Sequence, residues 1–409
     1  MKSGEQAQNE EFTPLELLTE ANIDFFAPSR TKNVPTREES VFYNPVQKVN
    51  RDISVLFLKS YYSDTNRLLA LSEPFCATGI RSLRYYLQTG LSFSEFIVSD
   101  IKKEAVALAR KNFTLNNVER GITFECGRAN VQLGKWLVEN KYFDVIDIDP
   151  FGSPAPFMPT ALLALSRNGI LCLTATDTAV LAGVYPNKAY RRYGITTIFS
   201  RVGFIHEVAL RCFIAAIQRQ AMVFDYSLFP VVSFHADHYL RVFFRKENKP
   251  GQILQNTGYV SYCKRCGEIY HTSLQEKGSA NSTSSRCTNC DEPFVTAGPL
   301  WTGPIADKAM IKQMVDYLPS IECADAKKTL RILQLLEDEV TNGPDLPYFH
   351  DLHVLTSQCS SEGRSVSLRK RADIMQDLTA LGYRTARSHC KPTGIKTDAP
   401  LDVIKKLLE

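Results

Sequence analysis

Residues 142–154 read Tyr142-Phe143-Asp144-Val145-Ile146-Asp147-Ile148-Asp149-Pro150-Phe151-Gly152-Ser153-Pro154. An apolar run carries two carboxylates at its end, Asp147 and Asp149, and passes straight into Pro150-Phe151-Gly152. That is the layout of a buried strand delivering an acid, a carbonyl and an aromatic ring to the carboxyl edge of a parallel sheet, where ligands bind in open α/β folds. Such a tip suits chemistry on a flat, amino-bearing base. Phe151 offers a face for stacking, while Asp149 and the Pro150 carbonyl accept hydrogen bonds from an exocyclic NH2. Alone, Asp-Pro-Phe-Gly serves equally well as a loop in which Asp149 caps the next turn, so the surrounding sequence has to decide.

Outward from this strand, residues 67–245 alternate between strand and helix patterns. Strands are expected at 67–71, 95–100, 122–126, 142–149 and 169–176, with helices near 80–89, 103–112, 131–140 and 157–166. This rhythm predicts right-handed βαβ units and a parallel sheet. A long apolar helix at about 203–223 precedes two β-rich runs, 226–234 and 239–245, joined by His-Ala-Asp-His as in a hairpin. Five alternating units closed by an antiparallel hairpin match the α/β, Rossmann-like sheet of class I S-adenosylmethionine-dependent methyltransferases. A plain dinucleotide dehydrogenase usually lacks the hairpin. Residues 1–40 read as a polar arm with one short helical pattern at 14–21. Residues 41–250 form the expected methyltransferase domain, 246–259 a linker, and 251–409 a second, α+β domain. The low-complexity stretch is 278–285.

The bulk composition narrows the class. With 409 residues and 44% hydrophobic content the chain supports two or three cores, and a formal charge of +4 leaves any polyanion to be met by local patches. No apolar run reaches the ~18 residues needed to span a bilayer. The polar opening, Met-Lys-Ser-Gly-Glu-Gln, shows neither a secretory nor a transit signal. Eleven cysteines, only four of them in Cys-x-x-Cys pairs, indicate an intracellular chain, in nucleus or cytoplasm.

After the first strand comes Glu73-Pro-Phe-Cys-Ala-Thr-Gly79-Ile-Arg81. Gly79 at the strand-to-helix turn is read as letting a ligand approach the backbone. With no other glycine the G-x-G-x-x-G fingerprint fails, so a pyrophosphate reading loses its support. Glu73 instead suits the amino group of a methionine moiety. Asp100, ending the second strand, suits two ribose hydroxyls, although it could also cap the helix that follows. Farther along, Glu125-Cys-Gly-Arg128-Ala129-Asn130 falls where an adenine would lie.

Cys263-Lys-Arg-Cys266 and Cys287-Thr-Asn-Cys290 have the spacing of a four-thiolate zinc ribbon. Gly267 lets the first knuckle turn. Four protein ligands leave no open position, so the metal is expected to be structural, with His271 outside the set.

Taken in order, these segments resemble the tRNA (guanine(26)-N2)-dimethyltransferase family. The resemblance runs from Val41-Phe42-Tyr43-Asn44-Pro45-Val46-Gln47 and Asn50-Arg51-Asp52 through Ala77-Thr78-Gly79-Ile80-Arg81 and Asp147-Ile148-Asp149-Pro150-Phe151-Gly152-Ser153-Pro154. It continues through Thr174-Ala-Thr-Asp-Thr-Ala-Val-Leu181, Arg192-Tyr193-Gly194, the cysteine pairs and Gly298-Pro-Leu-Trp-Thr-Gly303 to Lys396-Thr-Asp-Ala-Pro400. It implies that Arg51, Arg81 and Asp100 hold S-adenosylmethionine with Ala129 beside its adenine. It further implies that Asp149 is the acid at the reacting amine and that Phe42 and Phe151 line a guanine pocket. The implied partner is tRNA, the implied product N2,N2-dimethylguanosine, and a monomer is expected. One departure stands out: the family usually places Asp before Ala-Asn, and here Arg128 stands there. That removes an expected acceptor for adenine N6, leaving Glu125 or a backbone carbonyl to substitute.

Residues 364–409 hold ten Lys/Arg (364, 369, 370, 371, 384, 387, 391, 396, 405 and 406) against five acids. They read as a small α+β unit gripping RNA through phosphates. Two other readings stay open: methylation of another exocyclic base amine in RNA or DNA, and a catalytically weak tRNA-binding or folding factor built on the same scaffold.

Overall fold

The computed structural model describes residues 14–29, 41–196, 202–249, 251–277, 285–367 and 369–409. The chain opens with strands β1 (Leu15–Glu20) and β2 (Ile23–Pro28) and helix α1 (Lys48–Tyr61). The alternating region follows: β3 (Leu69–Glu73), α2 (Ile80–Gln88), β4 (Phe93–Asp100), α3 (Lys103–Leu115), β5 (Thr123–Cys126), α4 (Ala129–Val138), β6 (Phe143–Ile148), α5 (Met158–Ala164) and β7 (Leu165–Ala175). Helices α6 (Thr178–Leu181), α7 (Pro186–Tyr193) and α8 (Ile205–Met222) lead to the hairpin β8 (Ser227–Ala236) and β9 (Tyr239–Glu247).

These strands build one seven-stranded sheet in the order β5-β4-β3-β6-β7-β9-β8. Pairing is parallel from β5 to β7, and β9 runs antiparallel to both β7 and β8. This is the expected methyltransferase sheet. Strand order reverses beside β3, which lies between β4 and β6, so the crevice opens at the carboxyl ends of these three strands. Boundaries moved by a few residues. Arg67 is not in a strand but pairs with Asp144 at 2.8 Å, and β7 starts at Leu165 rather than 169, cutting the expected helix short.

The N-terminal segment corrects the sequence reading. The helical pattern expected at 14–21 is instead a hairpin strand. Ala21 and Asn22 both take positive φ (51 and 61), the two-residue turn that matches strand twist. Ile23, Phe25 and Ala27 then alternate inward, and Asn112 of α3 bonds both the N–H and the carbonyl of Phe26. The leucines at 15, 17 and 18 fit either period; Leu15 and Leu17 stay exposed, and the turn at Ala21-Asn22 sets the strand. Residues 14–29 of the expected arm are thus a hairpin packed on α3; the rest of it, 1–13 and 30–40, lies outside the described residues.

Asp147 lies within β6 and Asp149 just past its end, and Arg81 lies within 4.0 Å of both carboxylates. Asp147 is fully buried, held by both terminal nitrogens of Arg241 at 2.8 and 2.7 Å and by the Tyr85 hydroxyl at 2.5 Å. Burial pushes its carboxyl up, but Arg241 and Arg81 outweigh that and hold it below the usual range. Breaking a buried pair leaves an uncompensated charge. Arg241→Ala is therefore expected to cost roughly 3–5 kcal/mol in denaturant unfolding, and unchanged stability would contradict the pairing.

The second half begins with α9 (Gly251–Gln255) and an antiparallel ribbon, β10 (Thr257–Tyr262), β11 (Ile269–Ser273), α10 (Leu274–Lys277) and β12 (Val295–Trp301), in the order β11-β10-β12. Helices α11 (Lys308–Tyr317) and α12 (Ala326–Asn342) return to pack on α1, extending the core of the large sheet. A separate small core then forms from β13 (His350–Asp351), α13 (Leu352–Ser361), α14 (Arg371–Ala380), β14 (Thr385–Arg387), β15 (Gly394–Thr397) and α15 (Leu401–Lys406). The expected linker at 246–259 is not a free tether. Lys246 Nζ donates to the Leu162 and Leu165 carbonyls at 2.8 and 2.7 Å, and Ile253 is fully buried. Save for Ser285, the low-complexity stretch lies outside the described residues.

Candidate active site

A cavity of about 1080 Å³ opens at the carboxyl edge, lined among others by Phe42, Glu73, Arg81, Asp100, Asp149 and Phe151. Glu73, Asp100 and Asp149 come from the ends of β3, β4 and β6, the three strands at the reversal of strand order. Sheet topology thus brings together acids spread over more than seventy residues of sequence.

Arg81, on the first turn of α2, organises the floor. Its Nη2 is ion-paired with Asp149 Oδ2, its Nε lies 3.4 Å from Glu73, and its Nη1 donates to Asn50 Oδ1 at 2.9 Å and Ser54 Oγ at 3.2 Å. The guanidinium is buried, lines the cavity and holds Asp149. Arg51 also lines the cavity, but its fork is taken by Glu20 at 2.6 Å through both Nε and Nη2. Burial alone would push the Glu20 carboxyl up; Arg51 and Arg84 outweigh it and hold it at about 2. The three residues Asn50, Arg51 and Asp52 on α1 serve three partners: Arg81, Glu20 and, at 2.7 Å, Arg84.

Asp100 accepts from the backbone N–H of Lys102 (3.0 Å) and of Ala77 (3.1 Å), shaping the loop as a turn while still lining the cavity. Each oxygen keeps a lone pair for a hydroxyl donor. Burial pushes its carboxyl up. Burial likewise pushes Glu73 up to about 8, with Arg81 opposing.

Gly79 has a packing reason of its own. It sits at φ +76 before α2, and a Cβ there would meet Ala109 Cβ at 2.8 Å. The close approach on that side is that of helix α3, while its neighbours Thr78 and Ile80 line the cavity. Ala129 is the buried first residue of α4 and is off the cavity wall. Arg128 before it is exposed. Glu125 keeps Oε2 buried with no hydrogen-bond partner, an acceptor of the kind an amino group needs.

Phe42 and Phe151 both line the cavity and meet edge to face, with centroids 4.3 Å apart. In this arrangement they form one aromatic wall rather than two jaws. The Phe151 loop is pinned from behind: Gly152 N–H donates to Thr176 Oγ1 at 2.8 Å, and Thr176 N–H to the Gly152 carbonyl at 2.9 Å. Sequence reasoning missed His238 and Tyr239, which the tip of the β8–β9 hairpin adds to the wall. The hairpin itself was legible; that its tip returns to the carboxyl edge follows only from the antiparallel pairing of Ala175 with Leu240.

The four cysteines converge. Their sulfurs lie within 4.8 Å of one another, Cys263–Cys290 at 3.4 Å and Cys266–Cys287 at 3.5 Å. Spacings of this order suit a tetrahedron with zinc–sulfur bonds of about 2.3 Å. Each knuckle closes through a residue at positive φ, Gly267 at 84 and Asp291 at 58. The donor set fits structural zinc, and His271 stands outside it.

The cationic reading of residues 364–409 changes most. Eight of the ten cations lie within 4.0 Å of a carboxylate: Arg364, Arg369, Arg384, Arg387, Lys391, Lys396, Lys405 and Lys406. Several of those acids, such as Glu207, Asp338 and Asp351, lie outside the segment. Much of its charge is thus spent internally.

A Rossmann-like sheet with an antiparallel seventh strand, and acids at three neighbouring strand ends around a large cavity, define a class I S-adenosylmethionine-dependent methyltransferase. The residues fit that cofactor: a buried acid at the first strand end, a second acid with spare lone pairs at the next, and apolar walls between. The model of the N2,N2-dimethylguanosine tRNA methyltransferase family matches residues 23–409, and the chain belongs to that family. Among its relatives are tRNA (guanine(26)-N(2))-dimethyltransferases from Pyrobaculum islandicum and Pyrococcus abyssi. The first is 35% identical, covering 96% of this chain and 98% of its own; the second is 32% identical, covering 90% and 92%. The structure of Trm1 from Pyrococcus horikoshii with S-adenosyl-L-methionine superposes with a TM-score of 0.79 at 27% identity, over 97% of this chain and 100% of that one. The chain is accordingly a tRNA guanine-N2 methyltransferase that uses S-adenosylmethionine.

Proposed function

We propose that Asp149 is the acid at the reacting amine when this chain methylates N2 of guanine 26 in tRNA to N2,N2-dimethylguanosine. The observation that carries this reading is the Asp149 carboxylate, fixed by Arg81 through one oxygen, at the floor of a cavity walled by Phe42 and Phe151. Guanine N2 is a poor nucleophile because its lone pair is delocalised into the ring. S-adenosylmethionine, when bound, supplies an electrophilic methyl group. Asp149 accepts from N2–H, localises the lone pair and takes the proton as the new bond forms. Arg81 keeps the carboxylate oriented, so little reorganisation remains at the moment of transfer. Phe151 offers its face to the base. Product analysis of methylated tRNA, with Asp149→Ala alongside, tests this assignment.

Glu73 and Asp100 would hold the cofactor's amino group and ribose, with Glu125 available to its adenine amine. Arg51 acts through Glu20, fixing the wall that carries Tyr43, whose hydroxyl donates to the same carboxylate at 3.1 Å. Because these residues all come from one chain, a monomer suffices. All eleven cysteines are unbridged, which favours a reducing compartment, nucleus or cytoplasm. Among the described residues no helix is long and apolar enough to cross a membrane.

Glu73 gives a pH prediction. With its carboxyl pushed up to about 8, the free enzyme carries it protonated at neutral pH. A cofactor ammonium prefers the carboxylate, so affinity for S-adenosylmethionine should rise with pH up to about 8, at most roughly tenfold per pH unit, and then level off. Glu73→Gln should flatten that profile between pH 6.5 and 8.5. Stability carries the opposite sign. The stabilising effect of protonated Glu73 is fully present below the ordinary carboxyl pKa near 4.5 and is lost as pH rises through about 8. Titration calorimetry across this range checks the first effect; a flat wild-type profile would contradict it.

A further inference from the structure

We propose that the outward face of α7 is the surface that holds the tRNA strand flanking the target guanine, with Tyr190 stacking on a neighbouring base and Lys188 and Arg191 on phosphates. This rests on the guanine-N2 reading above and extends it to how the open strand is gripped.

Helix α7 is fastened to the catalytic loop. On its inner face Ala189 and Tyr193 are buried. The Tyr193 hydroxyl lies 2.6 Å from Ser153 Oγ, within the loop that carries Asp149 and Phe151, and donates to Asp177 Oδ1 at 2.7 Å. The other oxygen of Asp177 pairs with Arg192 at 2.8 Å, and Arg192 reaches the cavity wall. Gly194, at φ +60, ends the helix, and its amide donates to the Tyr190 carbonyl at 2.8 Å. The helix is therefore a fixed projection at the cavity mouth.

Its other face is apolar and cationic at once. Val184, Tyr185 and Tyr190 are 60%, 50% and 62% exposed, and Lys188, Arg191 and Arg192 are exposed between them. Lys188 Nζ stands 4.9 Å from the centroid of the Tyr185 ring. No acid occurs from 178 to 196; Arg192 is paired with Asp177, while Lys188 and Arg191 have no carboxylate within 4.0 Å among the described residues. Exposed tyrosines interleaved with cations match single-stranded nucleic acid, because every base offers a face for stacking and each phosphate a charge. Enzymes that extrude a base must also support the strand left unstacked beside it. The C-terminal segment, with eight of its ten cations already paired, leaves that requirement open, whereas α7 borders the cavity through Arg192.

The test uses the full chain with an unmodified tRNA transcript, S-adenosylmethionine, and the variants Tyr190→Ala and Lys188→Glu/Arg191→Glu. Both should lower kcat/KM for tRNA by roughly five- to a hundredfold, the range for losing one base–aromatic stack. Melting temperature and affinity for S-adenosylmethionine should stay unchanged. The charge-reversed variant should also show a shallower salt dependence of tRNA affinity. Wild-type kcat/KM and tRNA affinity in both variants would overturn the proposal, leaving the face to another partner. So would loss of cofactor affinity, because α7 would then be only a brace. Wild type and Asp149→Ala run in parallel report on the guanine-N2 reading: if wild type leaves guanine N2 unmethylated, that reading fails, while the tRNA affinities still decide the surface.

Discussion

Asp149→Ala should lower kcat by roughly 10²–10⁴-fold while leaving the dissociation constant of S-adenosylmethionine within a few-fold of wild type. The size follows from what the carboxylate does. Without an acceptor at N2–H the attacking lone pair stays in the ring, and the proton has no base at the moment of transfer. That span corresponds to about 3–5 kcal/mol of barrier. Cofactor affinity should be spared because Asp149 is paired with Arg81, while under the proposal above the acids at the ends of β3 and β4 are the ones that address the cofactor. One side effect is expected. Freed of Asp149, Arg81 draws more on Glu73 at 3.4 Å and stabilises its carboxylate, so the rise of cofactor affinity with pH should begin lower in the variant. Single-turnover kinetics separate the two parameters. A kcat within tenfold of wild type would remove Asp149 from the chemistry.

Removing the metal should have an effect of comparable size elsewhere. Wild-type protein should contain about one zinc per chain, and Cys263→Ser/Cys287→Ser should contain none. Binding to four thiolates contributes on the order of 10 kcal/mol to structural zinc sites, so the ribbon should not stay folded without it. Strands β10–β12 are short, and β12 packs on α8, where Arg211 Nη1 donates to the Trp301 carbonyl at 3.0 Å. A lowered melting temperature and faster proteolysis within 257–301 should follow, with tRNA affinity falling. Every residue lining the cavity lies between Val41 and Tyr239, so binding of S-adenosylmethionine should persist. An unchanged melting curve after chelation would contradict a structural metal.

What could be read from the chain was what depends on neighbours in sequence. The strand ending in Asp149, the acids Glu73 and Asp100, and the cysteine pairs all carry their signal within a few residues. What could not be read depends on partners far apart. Glu20 meets Arg51 and Arg84 across 31 and 64 positions, and Arg241 meets Asp147 across 94. Charge counting over 364–409 suggested a phosphate grip because it registers the segment's own five acids and not Glu207, Asp338, Asp351 and Glu362, which fold against it from outside. Gly79 showed the same limit. The sequence marks a place where no side chain fits, but only the packed helix α3 shows that Ala109 fills the space. In the segment now seen as β1, leucines compatible with both periods were settled by the turn at Ala21-Asn22.

Transfer of labelled methyl groups from S-adenosylmethionine to unmodified tRNA, followed by digestion to nucleosides and mapping of the modified position, tests the central claim most directly. The label should run as N2-methylguanosine and N2,N2-dimethylguanosine, map to position 26, and disappear with Asp149→Ala. Label in N6-methyladenosine, or tRNA bound without any incorporation, would contradict the account.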